Sequence, residues 1–367
     1  MHNRYPKYLN FRLSEEFYSD QGFNYTNTPT TNSSTFLIHS LKKEISQVLD
    51  KLIPAHSNVV LLDFPNNPNV GDSLIWLGEI AYLKSRHINI LYVCDSKNYH
   101  AQQLRKILNA NTIILIHGGG NFGTLWPEEQ AFREKVLLDF ATTPCIQLPQ
   151  SVYFDHDEAI DRAAKIIDAH SDYTILTRDK ASYELVQNSF KSKVFMCPDM
   201  AFFMSPQTKF KESAYDCFVL ARNDHERSHE WATSLPPKIH GISYQVRDWL
   251  NANAIEKAIY KIEKHSLLLR QVFDKNNLAL MWLWNQLARV RLNRGATLLQ
   301  RGKIVITDRL HAHILCLLLD MPHIVIDNAN KKISGFYQAW TKSYIKVRFV
   351  KDSDSALTEM AKLKKII

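Results

Sequence analysis

The sequence predicts an α/β protein of two doubly wound halves, each a parallel sheet with helices on both faces, facing each other across a cleft. Three observations carry this. Apolar runs of strand length alternate with helical stretches, and the runs lack polar interruptions, as strands buried on both faces do. The chain has 367 residues, enough for two domains of ordinary size. One polar, proline-bearing stretch, "SPQTKFKESAYD" (205–216), interrupts the alternation, which then restarts.

Residues 1–34 are polar and aromatic, ending in "NYTNTPTTNSST", and read as an N-terminal arm. The first half is assigned to 35–204. "FLIHSLKKEISQVLDKLI" (36–53) has helical spacing. "NVVLLDF" (58–64) is a strand, "SLIWLGEIAYLKS" (73–85) a helix, "NILYVCD" (89–95) a strand and "AQQLRKIL" (101–108) a helix. "TIILIHGGG" (112–120) is a strand running into glycines; "CIQLPQS" (145–151), "YTILTRD" (173–179) and "VFMCPD" (194–199) are later strands. The linker is 205–216. The second half, 217–345, opens on the strand "CFVLARND" (217–224) and continues through a long helical stretch at 248–302. "KIVITD" (303–308) and "HIVIDN" (323–328) follow as strands, and residues 346–367 form a C-terminal strand and helix.

Composition bounds the function. Apolar residues make up 45%, enough for a sizeable core, and the net charge of +8 favours anionic partners. The basic residues are dispersed and no nucleic-acid motif is present, so nucleic acid is not the expected partner. Cys94, Cys145, Cys197, Cys217 and Cys316 are scattered without a CxxC pair, against a disulfide framework or a zinc site and for a reducing compartment. The first residues lack a signal-peptide pattern, and no stretch reaches the apolar length of a membrane span. A cytoplasmic protein is expected. The basic-aromatic helix "MWLWNQLARVRLNRG" admits two readings, core or contact with the inner face of a membrane; an apolar stripe normally packs inward.

In parallel α/β sheets, ligands sit beyond the carboxyl ends of the strands. "NNPNVGDSLIW" (66–76) joins a strand to a helix; Asp72 or Ser73 suits the cap, and the loop or the Asp72 carboxylate could face a ligand. In "HGGGNFGTLW" (117–126), Gly118, Gly119 and Gly120 bring bare backbone close to something, as an anion nest or a sugar-binding edge. Arg178 stands at a strand end before a helix. In "TDRLHAHIL" (307–315) the helix interior is apolar, so its start must be buried and its free N–H groups satisfied. Asp308 suits the N-cap. Arg309 adds positive charge where a helix start prefers negative charge, which points to an anion there. His311 is within one turn and can exchange protons near neutral pH, while His313 points elsewhere and is expected to be structural. Lys331 and Lys332 follow the next strand and could close a ring of positive charge.

"VGDSLIW", "HGGGNFG", "TRDKASYEL", "CPDMAFF", "TDRLHAHILCLLLDMPHIVID" and "NKKISGFY", in this order, resemble the polysaccharide pyruvyl transferase family, from roughly residue 58 to 340. The resemblance implies a GT-B-like fold of two Rossmann-type domains, with no metal and no cofactor. It implies transfer of the enolpyruvyl carbons of phosphoenolpyruvate, a co-substrate, onto two hydroxyls of one sugar residue, giving a cyclic pyruvate ketal and phosphate. The acceptor partner is then a glycan, free or lipid-linked. The family's arginine before a helix matches Arg178. Its Arg-Leu-His matches Arg309, Leu310 and His311. Its lysine matches Lys332 best, with Lys331 as the alternative, because "NANKK" replaces the usual aromatic-glycine pair. Arg222, at the first strand end of the second half, is a further candidate.

The chemistry fits these residues independently. Ketal formation needs a proton at the methylene carbon and an attacking hydroxyl. His311 could serve as acid or base. Arg178, Arg309 and Lys332 would hold carboxylate and phosphate. Asp72 or Asn121 could hydrogen-bond the acceptor sugar. The rival reading is a nucleotide-sugar glycosyltransferase, which would place a diphosphate at the same helix start.

Overall fold

The computed structural model describes residues 34–207, 212–224, 231–232, 235, 241–259, 261, 278–327 and 331–364. Residues 1–33 of the expected arm, 208–211 of the linker, 260 and 262–277 of the long helical stretch and 328–330 of the lysine loop lie outside the described residues. The first half runs α1 (Ser34–Leu52), β1 (Asn58–Leu62), α2 (Val70–Ser85), β2 (Asn89–Cys94), α3 (Ala101–Ile107), β3 (Thr112–Ile116), β4 (Gly119–Gly123), α4 (Pro127–Asp139), β5 (Cys145–Tyr153), α5 (Asp157–Ile167), β6 (Tyr173–Thr177), α6 (Lys180–Ser189) and β7 (Lys193–Met196). The second runs β8 (Tyr215–Leu220), β9 (Tyr244–Arg247), α7 (Leu278–Leu299), β10 (Gly302–Thr307), α8 (Leu310–Leu318), β11 (His323–Ile326), α9 (Lys332–Phe336), β12 (Val347–Val350) and α10 (Ser353–Leu363).

Two sheets result. The first orders its strands β2-β1-β3-β5-β6-β7, with β4 paired to the far half of β5; the second is β12-β11-β10-β8-β9. All the pairings are parallel. In each sheet the first strand lies between the second and third, so the winding reverses at β1/β3 and at β8/β10. A crevice opens beyond the strand ends at such points. Both crevices contribute to the cleft described below.

The strands form where the sequence is apolar on both faces: β6 is buried along its whole length, and β1 at all but its first residue. Helices on the outer faces are amphipathic. In α5, Ala159, Ala163 and Ile167 recur every four residues on the buried side. The inner helices differ. α2 is buried nearly all round, and packs against α7 of the second half. One core therefore runs through both halves, joining Val59, Trp76 and Leu83 of the first to Phe218, Trp284 and Leu315 of the second. Polar ties reinforce it. Trp76 Nε1 donates to Asn285 Oδ1 at 2.7 Å, Arg291 Nη1 to Pro65 O at 3.0 Å and Arg294 Nη2 to Pro68 O at 2.6 Å. The basic-aromatic helix is thus largely core, with Trp282 turned outward at 64% exposure.

Three local readings are corrected. The strand read over 112–120 is two: β3 ends at Ile116, and Gly119–Gly123 is a strand of its own, with Gly119 opposite Gln150. Residues 248–253 are not helical; Asn253 Oδ1 accepts from Glu256 N at 2.9 Å, so the helix starts after that cap. The strand β9 was not anticipated, because its residues are only half-buried or exposed and carry no apolar run.

Gly78 faces the backbone of the turn after β7, where a Cβ would stand 1.9 Å from Met200 O. A carbonyl fixed by its chain cannot step aside. Gly78→Ala is therefore expected to lower stability by about 1–3 kcal/mol, read as a fall in the urea midpoint at unchanged slope. An unchanged midpoint would show that α2 and this turn are not packed as described.

Candidate functional site

The strand ends of both sheets open on one cleft of about 470 Å³. From the first half it is lined by Asp63, Phe64, Asp72, Asp95, His117, Gly118, Gly120, Asn121, Trp126 and Arg178. From the second half come Arg222, Asp224, Trp249, Arg309, Leu310, His311 and Lys332. A second, more open depression of about 870 Å³, by Tyr337, Arg348 and Glu359 on the β12 side, holds none of the candidate residues.

One wall is organised by a buried carboxylate. Asp199, just after β7, is 0% exposed. Its Oδ2 accepts from Arg178 Nη1 at 2.5 Å and lies 3.3 Å from His311 Nε2, while its Oδ1 accepts from Ala201 N at 2.8 Å. Burial alone would raise the Asp199 pKa, but His311 and Arg178 hold it well below the usual carboxylate range. Arg178 is further fixed by its Nε, which donates to Ser151 Oγ at 3.0 Å. Its Nη1 also lies 3.3 Å from His311 Nε2. The two contacts of this histidine nitrogen ask for opposite protonation. Arg178 can only donate to it, and Asp199 can only accept from it. A proton can therefore come and go at His311 without leaving either neighbour wholly unpartnered.

His311 reaches this position because of a glycine. A Cβ on Gly71 would stand 2.4 Å from His311 Nδ1, so only a bare backbone lets α8 place its imidazole against the start of α2. That start is capped by Asn69, whose Oδ1 accepts from Gly71 N at 3.1 Å; neither Asp72 nor Ser73 is the cap. Asp72 instead accepts from Asn67 Nδ2 and Asn69 Nδ2, at 3.2 and 3.1 Å, on the cleft margin.

The opposite wall is the second half's switch point. Arg309 is itself the N-cap residue of α8, and its N–H donates to Thr307 Oγ1 at 3.1 Å. Asp308, expected there, turns away: Trp231 Nε1 and Arg222 N donate to it at 2.9 Å each. Burial raises the Asp308 pKa. The anion that Arg309 asks for is supplied within the protein. Its Nε and Nη2 donate to the two oxygens of Asp248 at 2.9 and 2.8 Å, and Nη2 also reaches Asp224 Oδ2 at 3.3 Å. Arg222 is held by Asp224 at 2.8 and 3.1 Å. Both arginines still line the cleft, so these carboxylates act as braces that fix the guanidinium planes.

Of the two lysines, Lys332 enters the cleft. Its Nζ donates to Gly120 O at 3.2 Å, across the halves. Lys331 is exposed, in the left-handed region with φ 53°, and this turn sends the two side chains different ways. The backbone brought close by the glycine run faces cations: a Cβ on Gly120 would be 3.0 Å from Arg178 Nη2 and 3.3 Å from Lys332 Nζ. Asn121 is engaged with Arg133, Gln150 and Asp63. Asp63, in the left-handed region with φ 71°, is raised in pKa by burial against the pull of His117 and Arg133. His313 is structural, as expected. It is buried 2.7 Å from His323 Nε2 and 2.8 Å from Thr341 Oγ1, and burial pushes its pKa well below that of an ordinary histidine.

Sequence reasoning did not single out Asp199, Asp224, Asp248, His117, Glu79 or Trp249. Asp199 and Asp248 each directly follow or nearly follow a strand, which was the available signal. Among the described residues no cluster of histidine, cysteine and carboxylate side chains could hold a metal ion. All five cysteines are buried and unpaired, and no helix among the described residues is long and apolar enough to cross a membrane.

Known proteins align with this arrangement. The sequence model of a family described as polysaccharide pyruvyl transferase matches residues 69–330, a span that runs from the start of α2 past β11. Pyruvyl transferase 1 of Schizosaccharomyces pombe is 33% identical over 293 residues, covering 77% of this chain and 69% of that protein. "Putative pyruvyl transferase EpsO" of Bacillus subtilis is 30% identical over 312 residues, covering 85% of this chain and 94% of that protein. A crystal structure of a protein from Klebsiella pneumoniae covers 85% of this chain and 98% of its own at a TM-score of 0.53 and 18% identity, a likeness of fold.

Asp199→Asn should destabilise the protein by about 3–5 kcal/mol, because Arg178 and His311 lose a buried counter-charge. The native Asp199 carboxyl titrates below its unfolded-state value of about 3.9, so its contribution is complete near neutral pH and is lost as pH falls through the acid range. Chemical denaturation of both proteins at several pH values should show the largest gap at neutral pH and a shrinking one below about pH 4. A pH-independent gap would mean that the charge of Asp199 does not act in folding.

Proposed function

The chain belongs to the polysaccharide pyruvyl transferase family, and from that premise we propose that it moves the enolpyruvyl group of phosphoenolpyruvate onto two hydroxyls of one sugar residue of a glycan. The product is a cyclic pyruvate ketal, and phosphate leaves. The observation that carries this reading is the convergence of Arg178, Arg222, Arg309, His311 and Lys332, from strand ends of both sheets, on one cleft. A small donor with a carboxylate at one end and a phosphate at the other matches several fixed cations in a confined space. The same cleft also presents Asp63, Asp72, Asp95, Glu128, Glu129 and Trp126. Carboxylates that accept hydroxyl hydrogen bonds beside an indole face suit a sugar, and would repel a second anion. We therefore place the donor against Arg178, Arg309 and Lys332, and the acceptor towards Trp126, in a GT-B-like arrangement of two Rossmann-type halves.

In this reading Arg178 and Lys332 hold the phosphate and carboxylate, with Arg309 and Arg222 completing the anion site. These groups are held in place before the donor arrives, so little reorganisation is needed as charge builds on the leaving phosphate. His311 exchanges the proton on which ketal formation depends. Its Nε2 faces Arg178 and Asp199, and its Nδ1 lies against the start of α2.

A nucleotide-sugar donor would need to place a base and ribose in the cleft besides its phosphates. Calorimetry should show phosphoenolpyruvate binding and no tighter response to nucleotide sugars; the reverse order rejects the donor assignment. Arg178→Lys is the informative variant, since alanine would strand the buried Asp199. It keeps a charge but loses the planar fork. Loss of one charge-assisted contact, about 1.5–3 kcal/mol, should weaken donor use roughly ten- to a hundred-fold. Donor kinetics close to wild type would remove Arg178 from the anion site.

Glutamine at His311 can still donate a hydrogen bond but cannot supply or take a proton. His311→Gln and His311→Ala should both lose about 100-fold or more in kcat while still binding donor. If glutamine restores most of the rate, His311 only positions the phosphate.

A further inference from the structure

Beyond the anion site, the cleft contains a second histidine with a carboxylate behind it. His117 directly follows β3, at the switch point of the first sheet, and is 2% exposed. Its Nδ1 lies 2.8 Å from Glu79 Oε2. The other oxygen of Glu79, on α2, accepts from Gly118 N at 2.8 Å. The carboxylate is therefore pinned at both oxygens, and it fixes the ring so that Nδ1 carries a proton towards it. The remaining nitrogen, Nε2, is buried and has no hydrogen-bond partner among the described residues. A buried imidazole nitrogen without a partner is costly in a folded protein unless something else fills the place. His117 lines the cleft, with the carboxylates of Asp63 and Asp72 acting on it.

We propose that His117 is a catalytic base for the acceptor and Glu79 its positioning residue. The inference rests on the reading of the cleft as a pyruvyl-transfer site. The acceptor hydroxyl donates its proton to His117 Nε2 while its oxygen forms a C–O bond to the central carbon of the enolpyruvyl group. The electron pair of the carbon–carbon double bond takes a proton from His311 on the donor side, making the methyl group. The bond from the central carbon to the phosphate oxygen then breaks with its electron pair, and the second hydroxyl forms the second C–O bond. The second hydroxyl passes its proton to the departing phosphate, and after release His117 gives its proton to solvent while His311 takes one up, so the two hydroxyl protons balance the one gained by the methyl group and the one that leaves with phosphate. The acidic side of the cleft suits this step, since it favours the positive charge that His117 gains.

The charged groups facing the ring are Glu79 and Asp72 of α2 and Asp63 after β1. Burial pushes the His117 pKa down, but Glu79, then Asp63 and Asp72, outweigh it and the net shift is upward. A base acts in its neutral form, so the rate should rise as pH climbs through this raised pKa. Removing the Glu79 charge lowers the pKa, and the acid limb of the profile should move to lower pH.

The test uses the full-length protein. Wild type is first assayed with phosphoenolpyruvate and a glycan panel by mass spectrometry; no ketal product in any combination rejects the pyruvyl-transfer reading, whatever His117 does. With activity established, His117→Gln should lower kcat about 100-fold and change the dissociation constant for phosphoenolpyruvate by less than about 3-fold. Glu79→Gln should shift the acid limb of kcat downward by about 1–3 pH units, a change that a merely structural glutamate would not produce. The ring nitrogens of His117 in nitrogen-15-labelled wild type should titrate above an ordinary histidine, without any ligand. This arm decides the matter even if His117→Gln fails to fold. Retention of more than about a third of kcat in His117→Gln, an unmoved acid limb in Glu79→Gln, or a ring that does not titrate would each overturn the proposal.

Discussion

A carboxylate cut off from water must find cations, and Asp199 finds them in two different parts of the chain. Arg178 comes from the end of β6 and His311 from the first turn of α8. The first belongs to the first sheet's strand ends, the second to the other half. The wall that carries both groups is complete only when the halves are docked. Its cost of desolvation is offset by close, directional contacts, 2.5 Å in the case of Arg178, and by Ala201 N on the other oxygen. The wider docking serves the same end. The arginines Arg291 and Arg294 of α7 hold the carbonyls of the 65–68 loop, and Arg294 also grips Glu256 and the carbonyl of Trp249. One side chain thus ties the loop after β1 to the loop after β9, the two loops that bring Phe64, Asn67 and Trp249 to the cleft.

How far the sequence discloses this depends on the physical origin of each feature. Strands buried on both faces announce themselves as unbroken apolar runs, and β1, β3, β6, β8, β10 and β11 lie where those runs are. β9 does not, because its side chains are only partly covered and periodicity has nothing to register. Residue type and strand-end position pointed to Arg178, Arg309, His311 and Lys332, and the structure places all four on the cleft. Their partners are another matter. Arg309 next to a helix start does need an anion, but Asp248 meets that need from 61 residues away. Only the fold brings such a pair together. The capping residues failed for a more local reason: Asp308 was preferred to Arg309 on side-chain chemistry, whereas its carboxylate is drawn off by Trp231 and the backbone of Arg222.

Glycines show how backbone geometry does chemical service without a side chain. Gly71 makes room for the His311 ring, and Gly120 for the ends of Arg178 and Lys332. In sequence both look like turn punctuation, since a glycine in a strand-to-helix connection is common for conformational reasons. Gly71 lies within α2 and has an ordinary backbone conformation, so its role is close approach rather than an unusual φ. The glycine run after β3 likewise hid its neighbour. His117 stands at the strand end itself, and only the fold shows that Glu79 backs it from 38 residues away.

The two halves treat their histidines differently, and the difference follows from charge. His311 stands among cations with one carboxylate, Asp199, shared with Arg178. His117 has a carboxylate of its own, and further carboxylates at Asp63 and Asp72 act on it. A positive charge gained at His117 is therefore welcomed by its surroundings. At His311 the one carboxylate, Asp199, is shared with Arg178, whose Nη1 lies 3.3 Å from the ring nitrogen. Capture of a proton is thereby eased at His117. In the proposed reaction a proton leaves a hydroxyl and another reaches carbon, and each histidine follows the third strand of its own sheet, so the two switch points bring both to one cleft.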